Sequence, residues 1–384
     1  MKLAGPFVSA RPFGSHAPLH KGHTHGVSAD RLPTRGETGP LRRLACAIDT
    51  LKTPKDHACY MRHAPALSRR SSEPPLFPPS RPSTPMPLLN PHPPSVKRQT
   101  KVIVVGGGVM GASAAWHLAK AGSAVTLIES APESCTTATS SSFGWVGASA
   151  STPSDNPVAF AQRLKALEEF AAIERQLGPL PIATRGALLW LANEDETAAM
   201  IAEHRSAGTR MEQLLRSQIA EKEPMLTKPP SLAAWAPNDF ALEPAAFARQ
   251  LLAGAQDFGA CVLQGRVEAV ELAGNRVLGV VVEGQKITAD KIVLANGFGA
   301  RALALTVDVH LPIHQSPAVL LRFGAEAYGL RHLLCTEDME LRPFLGGGLA
   351  SAADYPKNGK NGLSAIAEFT GNTIAQLLGL AVAP

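Results

Sequence analysis

The stretch from Lys101 to Glu129, KVIVVGGGVMGASAAWHLAKAGSAVTLIE, constrains the fold more than any other part of the chain. It opens with Lys101–Val105, a short apolar, β-branched run that is typical of a buried parallel strand. The strand runs into a glycine-rich turn with the spacing G-x-G-x-x-G, at Gly106, Gly108 and Gly111. A helix over 109–120 and a second strand over 124–128 are predicted to follow. The pattern therefore predicts a βαβ unit in a parallel sheet.

The three glycines have distinct physical roles in such a unit. Gly106 permits the tight turn from strand to helix, Gly108 lets backbone amides approach a pyrophosphate, and Gly111 lets helix and strand pack closely. The first helical residues, Val109 and Met110, offer N–H groups and the positive end of the helix dipole to phosphate oxygens. The unit is therefore a candidate dinucleotide site.

Glu129 ends the second strand and indicates which dinucleotide the unit would bind. It lies 21 residues after Gly108, the distance expected of a carboxylate that accepts hydrogen bonds from a ribose 2′-hydroxyl. A carboxylate at this point repels a 2′-phosphate. The motif therefore favours FAD or NAD over NADP.

The first 100 residues differ from the rest in composition. They hold 15 Lys and Arg against 5 Asp and Glu, together with 17 of the 32 prolines. Because proline removes amide donors and fixes φ, we expect residues 1–98 to form a disordered leader. The alternatives are a transit peptide or a translation start at Met86. The remainder carries 22 basic and 27 acidic residues, a balance that calls for no nucleic-acid partner.

Cysteine spacing and hydropathy exclude several further classes of protein. The five cysteines are dispersed without a C-x-x-C pair, which argues against a disulfide framework or a zinc site. The sequence has no apolar run long enough for a transmembrane helix and no recognisable secretory signal. We therefore expect a cytoplasmic protein without a metal site.

A loop of small hydroxylated residues follows Glu129. It runs through Ser140, Ser141 and Ser142 into Phe-Gly-Trp-Val at 143–146. On residue type alone it is either a solvent-facing loop or one that hydrogen-bonds a pyrophosphate and brings an aromatic toward a cofactor ring. The βαβ unit and this TSSSFGWV segment together resemble the FAD-dependent oxidoreductases of the D-amino-acid oxidase family, which includes glycine, sarcosine and D-amino-acid oxidases and dehydrogenases.

The resemblance implies an α/β fold with a Rossmann-like FAD-binding domain built on a parallel sheet. It also implies an α+β substrate domain with a mostly antiparallel sheet. In the family the loop crosses the flavin pyrophosphate, so Ser140, Ser141 and Ser142 would touch cofactor phosphates or ribityl oxygens. Members with covalently bound flavin carry Trp-His on this loop. This chain has Gly144-Trp145 there, so non-covalent FAD is expected.

Periodicity and turn residues predict the elements that follow. Asn156-Pro157 predicts a helix start, and Gly178-Pro179 its end. Further helices are predicted from Glu194 to Ala207 and from Glu243-Pro244 to about Phe258. Strands are predicted over 186–191, 261–263, 267–272, 277–283, 286–288, 291–297 and 318–323. By the resemblance, residues 234–244 are interpreted as the return from the substrate domain to the FAD domain.

The resemblance also implies roles for residues in the second half of the chain. Val267 would bind adenine through its backbone, while Ala295 and Gly297 would let the chain pass close to the cofactor. Residues 339–349 resemble a family strand–turn–strand in which Arg-Pro precedes a glycine turn. In several members an arginine near this point binds the substrate carboxylate, which suits the guanidinium fork. Arg342 is the candidate, with a surface arginine beside a turn as the alternative.

The resemblance covers about residues 100–380. It implies a leader at 1–98, FAD-binding segments at 99–152 and 241–306, substrate-domain segments at 153–240 and 307–360, and a C-terminal helix within 361–384. We find no counterpart of the Gly-Arg-Pro segment and glycine-rich loop with which the family closes over the flavin. The chain is therefore expected to be C-terminally truncated relative to the family.

Two functions of different classes follow. The first is an FAD-dependent enzyme that oxidises the C–N bond of a small amino acid or secondary amine by hydride transfer to flavin N5, with oxygen or an electron carrier as the final acceptor. The alternative is a truncated, non-catalytic FAD-binding remnant. A third possibility is an NAD-dependent dehydrogenase, but the serine-rich loop and the strand ending at Gly297 favour FAD.

Overall fold

The computed structural model describes residues 99–131, 137–324, 329–357 and 359–380, so the expected leader at 1–98 lies outside the described residues. The helices are α1 (Val109–Lys120), α2 (Pro157–Leu177), α3 (Glu194–Ser206), α4 (Arg216–Lys222), α5 (Pro244–Asp257), α6 (Ala300–Leu305) and α7 (Leu363–Leu378). Short 3-10 turns lie at Gly297–Gly299 and Gly359–Gly362.

The described strands fall into three sheets. They are β1 (Lys101–Val105), β2 (Ala124–Glu129), β3 (Trp145–Val146), β4 (Ile182–Leu189), β5 (Glu212–Leu215), β6 (Leu232–Leu242), β7 (Cys261–Gln264), β8 (Val267–Ala273), β9 (Arg276–Val282), β10 (Gln285–Thr288), β11 (Lys291–Leu294), β12 (Ala318–Phe323), β13 (Leu333–Cys335), β14 (Glu340–Pro343) and β15 (Leu349–Asp354).

The first sheet is parallel and has the strand order β11-β1-β2-β7. One face is covered by α1 and α5, where Trp116 and Leu251 are fully buried in a common apolar cluster. The other face packs through Ile103 and Ile128 against the antiparallel sheet β10-β9-β8 and α6. The strands are buried on both sides because helices cover one face and a second sheet covers the other.

The largest sheet has the order β12-β15-β14-β13-β4-β6-β3, with β5 paired to β6. All its recorded pairings are antiparallel except that of β13 with β4. One face packs on α4 and α7 through Ile219 and Ile374. The opposite face carries Phe143 and Trp145 from the loop that follows β2. The expectation of an α/β fold with one parallel and one mostly antiparallel sheet is confirmed.

The sequence pattern assigns no local structure to one segment, and it differs from the structure in another. The segment 234–244, interpreted as the return from the substrate domain to the FAD domain, is mostly strand, because β6 runs from Leu232 to Leu242 and pairs with β3, β4 and β5. The strand predicted over 291–297 ends at Leu294, since Asn296 and Gly297 turn the chain into a 3-10 turn. Both segments lie where polar or glycine residues interrupt an apolar run.

Candidate functional site

The glycine-rich turn is packed so closely that side chains are excluded from it. Gly106 has φ +99°, and a Cβ there would lie 2.7 Å from the Cα of Asn296. A Cβ at Gly111 would lie 1.8 Å from the carbonyl oxygen of Gly106. Helix α1 therefore starts directly against the end of β1, as the motif predicts.

The start of α1 is open to an anion. Its N-cap is Gly108, which provides no side-chain cap, and the first turn contains no acidic residue. The Val109 N–H donates to the hydroxyl oxygen of Thr139 at 3.1 Å, and the Met110 side chain is exposed. This end of the helix presents backbone donors and positive dipole potential to the loop that follows β2.

Glu129 lies beside this turn. Its carboxylate accepts hydrogen bonds from the N–H groups of Gly107 and Ala131, which leaves further lone pairs on both oxygens. Its backbone oxygen accepts from Gly265 N at 2.9 Å. That contact brings the start of β8, at Val267, toward the same end of the parallel sheet.

The third strand end at this edge comes from β11. Ala295 N donates to the carbonyl oxygen of Val105 at 2.8 Å, and the side-chain oxygen of Asn296 is buried without a partner among the described residues. Gly297, with φ +59°, is exposed and has free space around its Cα. Sequence reasoning selected Ala295 and Gly297 but not Asn296, whose Cα lies against Gly106.

The serine loop lies differently from the simple expectation. The Ser140 hydroxyl donates to the carbonyl oxygen of Thr137 at 3.1 Å, so it is engaged within the loop. Ser141 and Ser142 are exposed. The hydroxyl that reaches the helix N-terminus is that of Thr139, which sequence reasoning missed although it belongs to the same hydroxylated run.

Together these features fit a dinucleotide. The ends of β1, β2 and β11 meet the N-terminus of α1, the turn leaves no room for a Cβ at Gly106 or Gly111, and an unpaired buried amide oxygen remains at Asn296. Backbone donors at a helix N-terminus suit a pyrophosphate, and a carboxylate at the end of the second strand suits a ribose. Around this junction lie Gly106, Gly108, Val109, Glu129 and Ala295.

Arg342 is fully buried, so its interpretation as a surface arginine is wrong. Its Nη1 pairs with the carboxylate of Glu243 at 2.8 Å, and its Nε donates to the carbonyl oxygen of Phe143. The guanidinium lies 4.6 Å from the ring centre of Phe344 and 5.7 Å from that of Phe143. Its Nη2 is buried and has no partner among the described residues.

These contacts cross the large sheet. Arg342 lies on β14, whereas Glu243 follows β6, and the strands β13 and β4 lie between them. In parallel, Nη2 of Arg322 on β12 donates to the Ser140 carbonyl oxygen at 3.1 Å. The loop 139–145 therefore contacts the large sheet through the carbonyl oxygens of Ser140 and Phe143, and the glycine-rich nucleotide turn (Gly106–Gly111) through the Thr139 hydroxyl.

Asp239 fixes the other end of the same loop. Its carboxylate accepts from the indole N–H of Trp145 at 2.9 Å and from the backbone N–H groups of Ala148 and Ser149. Burial raises the pKa of Asp239, while the hydrogen bonds from Ser149 and Trp145 partly counteract the rise. This role of Asp239 has no signal in the sequence, because Asp239 lies within a Pro-Asn-Asp run typical of turns.

The comparison with protein-family models identifies this arrangement. Residues 101–378 match the model of the FAD dependent oxidoreductase family. The chain belongs to this family. That assignment is consistent with the nucleotide turn, the Glu129 carboxylate and the two-sheet architecture. The family's chemistry is oxidation–reduction with FAD as cofactor.

Individual relatives agree with the assignment. A glycine oxidase from Bacillus licheniformis is 32% identical over 176 residues, which is 44% of this chain and 46% of that protein. The matched region thus spans less than half of this curated relative. The glycine oxidase structure from Bacillus cereus has a TM-score of 0.60 at 20% identity, covering 73% of this chain and 78% of that one.

A second solved structure gives a similar picture. Iminodiacetate oxidase from Chelativorans sp. BNC1 has a TM-score of 0.61 at 19% identity, covering 73% of this chain and 80% of that chain. At this identity the likeness establishes the fold. Among the described residues, the helices are all too short or too polar to cross a membrane.

Proposed function

We propose that the chain binds FAD non-covalently and oxidises the C–N bond of a small amino acid or secondary amine. The observation that carries this proposal is the convergence of three strand ends on the glycine-capped N-terminus of α1, in a chain that belongs to an FAD-dependent family. Relatives named glycine oxidase and iminodiacetate oxidase support an amine substrate.

The chain's own residues would hold the cofactor from several directions. Backbone donors at Gly108, Val109 and Met110 would face the pyrophosphate, and Glu129 would accept from the ribose hydroxyls. Val267 would contact adenine through its backbone, and Ala295 and Gly297 would allow a close approach. Ser141 and Ser142, which are exposed, would reach cofactor phosphates or ribityl oxygens, and Ser140 would do so only by releasing its bond to the Thr137 carbonyl oxygen. Bound FAD would supply a two-electron acceptor.

Arg342 is proposed to hold the substrate carboxylate. Nη1 and Nε are already engaged by Glu243 and Phe143, which fixes the guanidinium plane. The remaining buried donor, Nη2, is unpaired among the described residues. A carboxylate at Nη2 would satisfy a donor whose burial is otherwise costly. FAD would lie against the segments 99–152 and 241–306, and the substrate against the segments 153–240 and 307–360. Oxygen or an electron carrier would be the final electron acceptor.

Flavin uptake and flavin bleaching test this proposal. Purified protein should take up FAD and show flavin absorbance, and the bands should bleach anaerobically with glycine, sarcosine, iminodiacetate or a D-amino acid. Glu129→Ala should weaken FAD binding at least tenfold, because the ribose hydroxyls lose their acceptor. Ser130→Ala, one residue further and exposed, is the matched control. A protein that takes up no FAD contradicts the proposal, whereas FAD uptake without bleaching by any amine favours the non-catalytic remnant.

A further inference from the structure

Glu340 shares one face of β14 with Arg342. Side chains alternate along a strand, so Glu340 and Arg342 project together and Leu341 projects from the other face. Leu341 lies in the apolar cluster with Ile219 of α4 and Ile374 of α7. Glu340 therefore projects from the face away from these helices, the face from which Arg342 reaches Phe143 and Glu243.

The neighbours of Glu340 are almost entirely apolar. Directly opposite it are Cys335 on β13 and Ala352 on β15. The row continues from Cys335 to Leu189 on β4. Within the part of the chain that the structure describes, the Glu340 carboxyl has no hydrogen bond or ion pair, although the residue is half-buried. A carboxylate so placed lacks a counter-charge.

The charged groups around Glu340 do not supply a counter-charge for its carboxylate. Arg342 is committed to Glu243 at 2.8 Å. Cys335 is a neutral thiol, because burial and the carboxylates of Glu340 and Asp239 raise its pKa. Burial alone raises the pKa of Glu340 to about 7. Its carboxyl therefore changes charge near neutral pH, which is the range useful for proton transfer.

We propose that Glu340 binds the ammonium group of the substrate and accepts one of its protons, while Nη2 of Arg342 holds the substrate carboxylate. The inference deepens the proposed function and rests on it. Residues two positions apart along a strand are separated by roughly 6–7 Å, so the side chains of Glu340 and Arg342 leave the strand side by side on one face, where the two ends of one α-amino acid would meet them. The half-buried carboxylate of Glu340 would gain a cation, and the buried Nη2 of Arg342 would gain an anion.

The proton transfer balances without further reactants. One N–H bond of the ammonium group breaks, its electron pair stays on nitrogen, and an O–H bond forms at the Glu340 carboxylate. The neutral amine would then have the lone pair that oxidation of the adjacent carbon requires, and FAD, when bound, would supply the acceptor for the two electrons. Glu340 releases its proton to water after the product leaves.

Ligand preference tests the inference directly. Glycine and glycolate share a carboxylate but differ in ammonium against hydroxyl, so their affinities are compared on FAD-loaded protein by perturbation of the flavin spectrum. The wild type should bind glycine at least tenfold more tightly at pH 8, and glycine affinity should fall as pH drops below 7. Glu340→Gln should lose both the preference and the pH dependence. Glu337→Gln, a nearby exposed glutamate, should behave as wild type.

A stability readout separates this inference from the proposed function. The pKa of Glu340 lies above its ordinary value, so the folded state binds an extra proton between about pH 4.5 and 7. Stability from this source is therefore present at low pH and lost as pH rises toward 7. Urea unfolding of the wild type and Glu337→Gln should show this loss, and Glu340→Gln should show less of it.

The outcomes are distinct. Failure to take up FAD contradicts the proposed function, whereas the unfolding measurement does not depend on FAD. An unchanged pH dependence of unfolding in Glu340→Gln overturns the inference. It is also overturned if the wild type shows no preference for glycine, or if Glu340→Gln retains that preference.

Discussion

At the scale of single residues, the ion pair between Arg342 and Glu243 is the most informative contact. Glu243→Gln should destabilise the protein by about 3–5 kcal/mol, because a buried guanidinium is left without its counter-charge. The side chains of Arg342 and Glu243 are 0% and 19% exposed. Urea denaturation measures the change in the free energy of unfolding.

Glu174→Gln provides the control for that measurement. It removes an ion pair of the same kind from Arg185, but those side chains are 33% and 57% exposed. The exposed pair should contribute less than about 1 kcal/mol. Equal losses in the two variants would show that burial does not set the strength of the Arg342 pair.

The site residues divide by how far apart their partners lie in the sequence. Gly106, Gly111 and Glu129 could be predicted, because the spacing of a βαβ unit is local and carries its own chemistry. Glu243 and Asp239 could not. Arg342 meets Glu243 99 positions away, and Trp145 meets Asp239 94 positions away. Such pairs depend on the order of the strands in the large sheet. Local sequence periodicity carries no information about that order.

At the scale of elements, the register shift in β4 explains why position 186 is occupied by glycine. Gly186 lies at the shift between Arg185 and Ala187, has φ +86°, and holds the ring of Trp235 against its Cα. A Cβ there would lie 1.9 Å from the indole ring. Gly186→Ala should therefore destabilise the protein by about 3–5 kcal/mol, through backbone strain and overpacking together.

The matched control for this variant is Gly178→Ala. Gly178 has a similar φ of +81°, but nothing lies within 4 Å of the added Cβ. Only the strain of its extended backbone with positive φ remains, about 1–3 kcal/mol. Thermal and urea unfolding measure both variants. If Gly186→Ala costs no more than Gly178→Ala, the packing of Trp235 on β4 is not the constraint.

The start of one helix could be predicted from a local signal, whereas the course of one strand could not. The start of α2 follows from Asn156, whose side chain accepts from Ala159 N at 3.0 Å, as an N-cap signal predicts. The longest described strand, β6, contains Pro237 and a polar pair that are typical of turns. Its pairing with strands on both sides outweighs this local preference. Pairing with neighbouring strands therefore determines that this segment is a strand, which the local sequence pattern does not indicate.

At the scale of the whole molecule, the nucleotide turn joins segments that are distant along the chain. FAD at 100 times its dissociation constant should raise the free energy of unfolding by about 2.7 kcal/mol, since the unfolded chain lacks the site. The measurement is thermal unfolding at increasing FAD concentration. NADP at equal concentration should give no shift, because Glu129 repels its 2′-phosphate. Equal stabilisation by NADP would contradict the assignment of Glu129.

The strand order of the parallel sheet has a consequence for synthesis. Strand β1 lies between β2, which ends at Glu129, and β11, which ends at Leu294. A ribosome must therefore add 165 residues after β2 before the sheet can close, on the order of 10–30 s. Throughout that interval the nascent chain exposes an apolar strand edge that attracts chaperones and is open to wrong partners.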